Sequence, residues 1–323
     1  MHYLLKVTRA FYRYYDNIKT INLTNRLPNV IRQFALCVKS RMKVVMMIYS
    51  WLSIVGLCIV YRGLPPLMLA VKLFFAMTGM ALGMYLWNDV CDLKQDTSSE
   101  GAEDFAPSGR PLGRGLVSKR RMGVFSALLV ALGLMASALI NAEVLLIQFS
   151  FAVLFFIYSA EPIRLKRIFL MKQFTVTIGG AIACLSAGLA AGVITPQLLY
   201  LTGLYVLFTV GANPLGDLRD IESDRSDGVK TIPIVWGPGF TIRLALVTFT
   251  ASAFSTWLGF YGLGFNIALP ILGTTVVVAL MYFIYPLLAR IDDHSYVVKV
   301  VYNRGLPLLF LLELVVLLGS LPF

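Results

Sequence analysis

Asn88-Asp89-Val90-Cys91-Asp92-Leu93-Lys94-Gln95-Asp96 closes an apolar run, Leu67 to Trp87, whose one charge is Lys72. On a helix, Asp89, Asp92 and Asp96 stand at i, i+3 and i+7 and share a face. Like charges so placed repel one another unless a cation lies among them. The same spacing recurs at Asp217, Asp220 and Asp224, 128 residues further on and again at the end of an apolar run. Two carboxylate clusters of matching geometry in an apolar chain point to a metal site built from two halves.

The surrounding composition sets the class. Of 323 residues, 58% are hydrophobic and 14% charged, whereas a soluble domain carries about 25% charged residues. The chain reads as an all-α, polytopic membrane protein. Its net charge of +11 does not mark a nucleic-acid partner, because no groove-reading or single-strand-binding pattern accompanies it. Cys37, Cys58, Cys91 and Cys184 have no CxxC spacing and read as small buried apolar residues. His2 and His294 are the only histidines, too few for a histidine metal site.

Residues 1–43 hold nine Lys/Arg and one acid, Asp16. Within them Val30, Ile31, Phe34, Ala35 and Val38 share a helical face, the pattern of an amphipathic helix lying on a membrane surface. A disordered basic tail is the alternative. Residues 44–323 then read as the membrane domain. Apolar runs long enough to cross a bilayer fall at 44–60, 66–87, 121–140, 143–160, 173–194, 197–214, 240–261, 266–289 and 305–321. With nine crossings, 26 of the 28 Lys/Arg fall on one side; the exceptions are Arg62 and Lys72. That asymmetry places the N-terminus and both aspartate clusters on the cytoplasmic side and the C-terminus on the other. The small residues of the fifth run, Gly179 and Gly180 among them, suit either close helix packing or room for a long apolar ligand.

Oxygen ligands alone favour a hard cation. Magnesium is held by one or two carboxylates together with a substrate phosphate. Basic residues stand on the same side as the acids: Arg110, Arg114, Lys119, Arg164, Lys166, Arg167, Arg219, Arg225 and Lys230. Any one of them also reads as an orientation-setting charge. An anion with a greasy body, an isoprenyl diphosphate, fits both the acids and the apolar bundle. Tyr85, Trp87, Phe155, Phe156 and Tyr158 are candidates to line the cavity for an allylic cation; interfacial anchoring is the other reading of each.

These residues resemble the UbiA superfamily of intramembrane prenyltransferases. Asn88, Asp89, Asp92 and Asp96 match its NDxxDxxxD motif, and the run Asp217 to Arg225 resembles its second aspartate motif, followed by Asp227-Gly228 and Lys230-Thr231. Arg110-Pro111-Leu112 with Gly115 and Ser118, and Tyr158 with Pro162, Arg164, Lys166 and Arg167, are similar to two further stretches of the family. The resemblance implies nine helices around a central cavity with cytoplasmic cap loops. It implies two Mg²⁺ ions held through Asn88, Asp89, Asp92, Asp96, Asp217, Asp220 or Asp224, with Asp89, Asp92, Asp217 and Asp220 as the catalytic set. It also implies diphosphate contacts from Lys119, Arg164, Lys166 and Lys230. The chain departs from the family in the loop Thr97 to Ser108, which carries Glu100, Glu103 and Asp104, and in the long spacing from Tyr158 to Lys166.

The expected activity is therefore Mg²⁺-dependent transfer of an isoprenyl group from its diphosphate to an aromatic, quinone-precursor, lipid or tetrapyrrole acceptor within the membrane. A terpene cyclase uses the same ionisation with internal capture of the cation. A cation transporter is a third class, for which Glu313, the lone acid inside the ninth run, is the starting point.

Overall fold

A computed structural model of the protein describes residues 28–93 and 110–322. Among the described residues there are no strands, and nine helices are long and apolar enough to cross a membrane. They are α1 (Asn29–Tyr61), α2 (Leu67–Cys91), α3 (Lys119–Ala138), α4 (Ala142–Ser159), α5 (Met171–Ala191), α6 (Pro196–Asp217), α7 (Pro238–Leu263), α8 (Ala268–Ala289) and α9 (His294–Ser320).

The turns follow from local chemistry. Asn141 caps α4 by accepting from the Val144 N–H, and Thr195 caps α6 by accepting from Leu198, just ahead of Pro196. These side chains satisfy amides that have no partner inside the helix. The Asn141 amide also donates to the Leu189 carbonyl at 2.8 Å, tying the α3–α4 turn to the end of α5. Backbones meet closely between α2 and α3, where a Cβ on Gly133 would lie 2.7 Å from the Met80 nitrogen, and between α6 and α7, where one on Gly211 would lie 2.7 Å from the Ala245 Cα. A bare backbone at such contacts allows the dense packing that holds membrane helices together.

The first and last spans differ from the expected ones. α1 runs without a break over 33 residues, so the expected start of the first span at residue 44 falls inside a longer helix. At 1.5 Å per residue it is about 50 Å long, against a hydrocarbon core of about 30 Å. Only part of its apolar stripe packs on the bundle: Phe34 and Val38 lie against the core, where the Phe34 ring meets Phe125 edge-on at 5.2 Å, while Val30, Ile31 and Ala35 are exposed. An i, i+3, i+7 stripe is the same pattern whether it faces lipid or another helix. Residues 1–27 lie outside the described residues. The ninth span begins at His294 rather than 305, because a π turn at Val301–Gly305 carries the helix through Asn303 and Arg304 without a break.

Candidate functional site

The two acidic helix ends meet. Asp89 and Asp92 stand at the C-terminal end of α2, and Asp217 is the last residue of α6. The Arg164 guanidinium joins the two sides: its Nη2 donates to Asp92 Oδ1 at 3.0 Å and to Asp227 Oδ2 at 2.9 Å. Lys166 Nζ donates to Asp92 at 2.6 Å and lies 3.5 Å from Asp227. Both cations are buried in the segment between α4 and α5. Arg164 adopts a left-handed backbone with φ +40°. A non-glycine residue holds that conformation only where its surroundings fix it, and here two carboxylates do so. Burial alone would weaken the charge on Arg164, but Asp92 and Asp227 outweigh it and raise its pKa.

The remaining acids are paired as well. Asp89 is fully buried and accepts from Arg41 on α1 and from Arg110 Nη1 at 2.7 Å. Lys172 Nζ lies 2.8 Å from Asp217 and 2.7 Å from Asp224, while Gln173 donates to Asp217 at 2.6 Å. Burial pushes Asp224 up to about 6, against the pull of Lys172. Arg219 grips Asp220 through two nitrogens at 2.6 and 2.7 Å. Burial raises the Asp220 pKa, but this fork prevails and the net shift is downward. Arg219 is itself held from α9: its guanidinium lies 4.5 Å from the Tyr302 ring centroid, and the Tyr302 hydroxyl donates to the Gly216 carbonyl at 3.1 Å.

This donor set fits a hard divalent cation. Asp217 and Asp224 already converge on one positive charge, the Lys172 ammonium, at contact distance. Asp92 and Asp227 do the same around Arg164 and Lys166. Among the described residues no group of three or more acids, histidines or cysteines converges as a ready metal cage. Magnesium ordinarily takes one or two carboxylates and completes its shell with water and phosphate oxygens, so paired carboxylates suit it better than a cage.

Of the residues singled out from sequence, Asp89, Asp92, Arg164, Lys166, Asp217, Asp220 and Asp224 come together here. Asn88 donates to Ser159 at 3.0 Å, at the end of α4. Lys119 and Lys230 are exposed, and Asp96 lies outside the described residues, as does the acidic loop after it. Arg41, Lys172 and Gln173 were not singled out. Arg41 follows Phe34 and Cys37 at i, i+3, i+7, and that shared face was the available signal. Below the acids, Tyr49 meets Tyr85, Phe151 and Phe155 edge-on at 6.1, 5.6 and 6.3 Å, and Tyr158 lies 6.1 Å from Phe155. Trp87 instead stacks on the exposed Phe156 at 5.0 Å.

The profile of the UbiA prenyltransferase family matches residues 49–301. The chain belongs to that family. A curated UbiA-type relative, digeranylgeranylglyceryl phosphate synthase of Sulfolobus acidocaldarius, is 29% identical over 189 residues, 58% of this chain and 64% of that protein. The bacteriochlorophyll synthase 33 kDa chain of Cereibacter sphaeroides is 34% identical over 169 residues, 49% of this chain and 51% of the relative. The chain thus spans less than two thirds of the length of these two relatives. A solved structure of a UbiA homolog from Archaeoglobus fulgidus, bound to DMAPP and Mg²⁺, aligns with a TM-score of 0.63 at 17% identity, over 86% of this chain and 98% of that one. A structure from work on digeranylgeranylglyceryl phosphate synthase in membranes aligns with a TM-score of 0.68 at 20% identity, over 91% and 99%. At these identities the likeness is one of fold.

Proposed function

We propose that this protein transfers an isoprenyl group from its diphosphate to a nucleophilic acceptor in the membrane, with Mg²⁺ as cofactor. The observation that carries this is that Arg164 and Lys166 together bridge Asp92, at the end of α2, to Asp227, ten residues past the end of α6, near a cluster of buried aromatic rings. The names of the curated relatives favour a glycerophosphate lipid or a tetrapyrrole as acceptor. The Lys/Arg asymmetry favours a cytoplasmic placement of the acidic end.

Asp89 and Asp92 from one half, and Asp217, Asp220 and Asp224 from the other, would hold the metal, with Asn88 beside them and Asp96 as a further ligand on the motif's pattern alone. Bound magnesium supplies neutralisation of the departing diphosphate. Arg164 and Lys166 would turn from Asp92 toward the diphosphate oxygens, with Arg110, Lys119 and Lys230 at the rim. The bond between the allylic carbon and the diphosphate oxygen breaks, and its electron pair leaves with the oxygen. The rings of Tyr85, Tyr49, Phe155 and Tyr158 exclude water and stabilise the cation by their π faces. The acceptor's nucleophile closes the new bond and loses its proton.

The deciding experiment combines the purified protein with Mg²⁺, isoprenyl diphosphates of several lengths and a membrane-lipid extract, with products read by mass. A lipid heavier by one prenyl group is the expected product. A cyclic hydrocarbon formed without acceptor would replace the reading with a cyclase, and intact diphosphate throughout would remove both. Lys166→Ala is expected to weaken donor binding about tenfold or more, the scale of a charge-assisted contact, with a smaller effect on the acceptor. Unchanged donor affinity by calorimetry would take Lys166 out of the site.

A further inference from the structure

Lys172 stands where local rules would not put a cation. It is the second residue of α5, and the first turn of a helix, which carries a partial positive charge, disfavours a basic side chain. What holds it there is tertiary: its ammonium lies 2.8 Å from Asp217 Oδ1 and 2.7 Å from Asp224 Oδ2. The surroundings of this contact are fixed. Gln173 donates to the other oxygen of Asp217 at 2.6 Å, and Asp224 belongs to the short helix Ile221–Ser226. Ahead of Lys172 the backbone is set as well, since Leu170 takes a left-handed conformation with φ +68°. A non-glycine residue keeps that conformation only where its surroundings impose it. The part that can give way is the lysine side chain itself, a compact charge on a flexible stem that is 20% exposed and so has a route to water.

We propose that Lys172 is a tethered cation that competes with a divalent ion for Asp217 and Asp224, and so makes metal binding depend on the donor's diphosphate. The inference rests on the proposed function. An ion drawing on both carboxylates takes the space that the ammonium fills, so the lysine has to leave. Exchanging a single charge for a double one adds one charge to the pair rather than two, which weakens metal held by the protein alone. The displaced ammonium also needs a new anion, because a charge parted from its buried partner is costly. A diphosphate brings oxygens that complete the metal's shell and accept from the lysine. Metal and donor thereby strengthen each other's binding.

The test is Mn²⁺ binding without donor, followed by calorimetry and electron paramagnetic resonance on wild type, Lys172→Met and Lys172→Arg. Lys172→Met is expected to bind Mn²⁺ about tenfold or more tighter than wild type, since a like charge at contact is gone. Lys172→Arg, which keeps a cation, is expected to stay near the wild-type affinity. Lys172→Gln carries the comparison if the methionine variant does not fold. Unchanged or weaker binding in Lys172→Met would overturn the competition. So would an equal gain in Arg225→Met, which removes an exposed charge next to Asp224 and so reports net charge alone. Added geranyl diphosphate is expected to tighten Mn²⁺ by a larger factor on wild type than on Lys172→Met; equal factors would overturn the link to the donor. Each of these failures leaves prenyl transfer standing. A wild type that binds no Mn²⁺ even with donor would remove the metal-dependent reading and this proposal with it.

Discussion

Asp89→Asn lowers turnover by about 10³-fold or more, and Asp217→Asn does the same, each leaving a folded protein. The size follows from what the charge does. Preorganised electrostatic groups at developing charge are worth about 10²–10³ apiece, and here loss of one anion also weakens the metal that serves the leaving group. The choice of asparagine follows from the structure. Asp89 is fully buried beneath the guanidinium groups of Arg41 and Arg110, and removing one partner of a buried pair costs about 3–5 kcal/mol. An alanine there would confuse lost chemistry with lost stability. The amide keeps an acceptor oxygen for one arginine, and both arginines remain partly exposed, at 12% and 18%, so water can serve the other. Turnover assayed beside a thermal melt separates the two effects. Near-wild-type turnover in either variant would contradict a site shared between α2 and α6.

Chelation is the second large effect. EDTA is expected to stop turnover completely and added Mg²⁺ to restore it, while the melting temperature moves by only a few degrees. The second half of that expectation is specific to this structure. Clustered carboxylates ordinarily depend on their metal to offset repulsion, but each described aspartate of the site already faces a lysine or arginine: Asp89 faces Arg41 and Arg110, Asp92 faces Arg164 and Lys166, Asp217 and Asp224 share Lys172, and Asp220 faces Arg219. The fold is thus electrostatically balanced before any cation arrives. Turnover that survives chelation would exclude the metal-dependent reading, and unfolding on chelation would show that these ion pairs do not balance the site.

The fold was legible because a membrane leaves few choices. Apolar runs and the one-sided lysines and arginines locate nine spans with little help from packing, and the i, i+3, i+7 spacing marks both acidic clusters. The spans stop at Cys91 and Asp217, however, so Asp92 and Asp220 leave the helix and Asp224 sits on the separate short helix Ile221–Ser226 instead of on one continuous face. The partners of these acids were not legible. Arg164 pairs with Asp92 across 72 residues and Arg41 with Asp89 across 48, and a basic residue near a span end has the same signature whether it orients the chain or faces an acid. Lys172, the cation shared by Asp217 and Asp224, carries that same ambiguous signature. Trp87 and Tyr85 are two residues apart, so they point to different sides of α2. One ring joins the cluster and the other packs on Phe156, a distinction that only the rotation of the helix decides. The glycines of α5 serve packing, since Gly179 and Gly180 are covered by rings.

The unusual length of α1 has a consequence for the site. Arg41 stands near the middle of a continuous rod whose first turns extend past the thickness of the hydrocarbon layer. Its Arg41 contact with the buried Asp89 makes this rod part of the site's own wall. The helix that opens the bundle thus also supplies a charge partner to its most deeply buried acid.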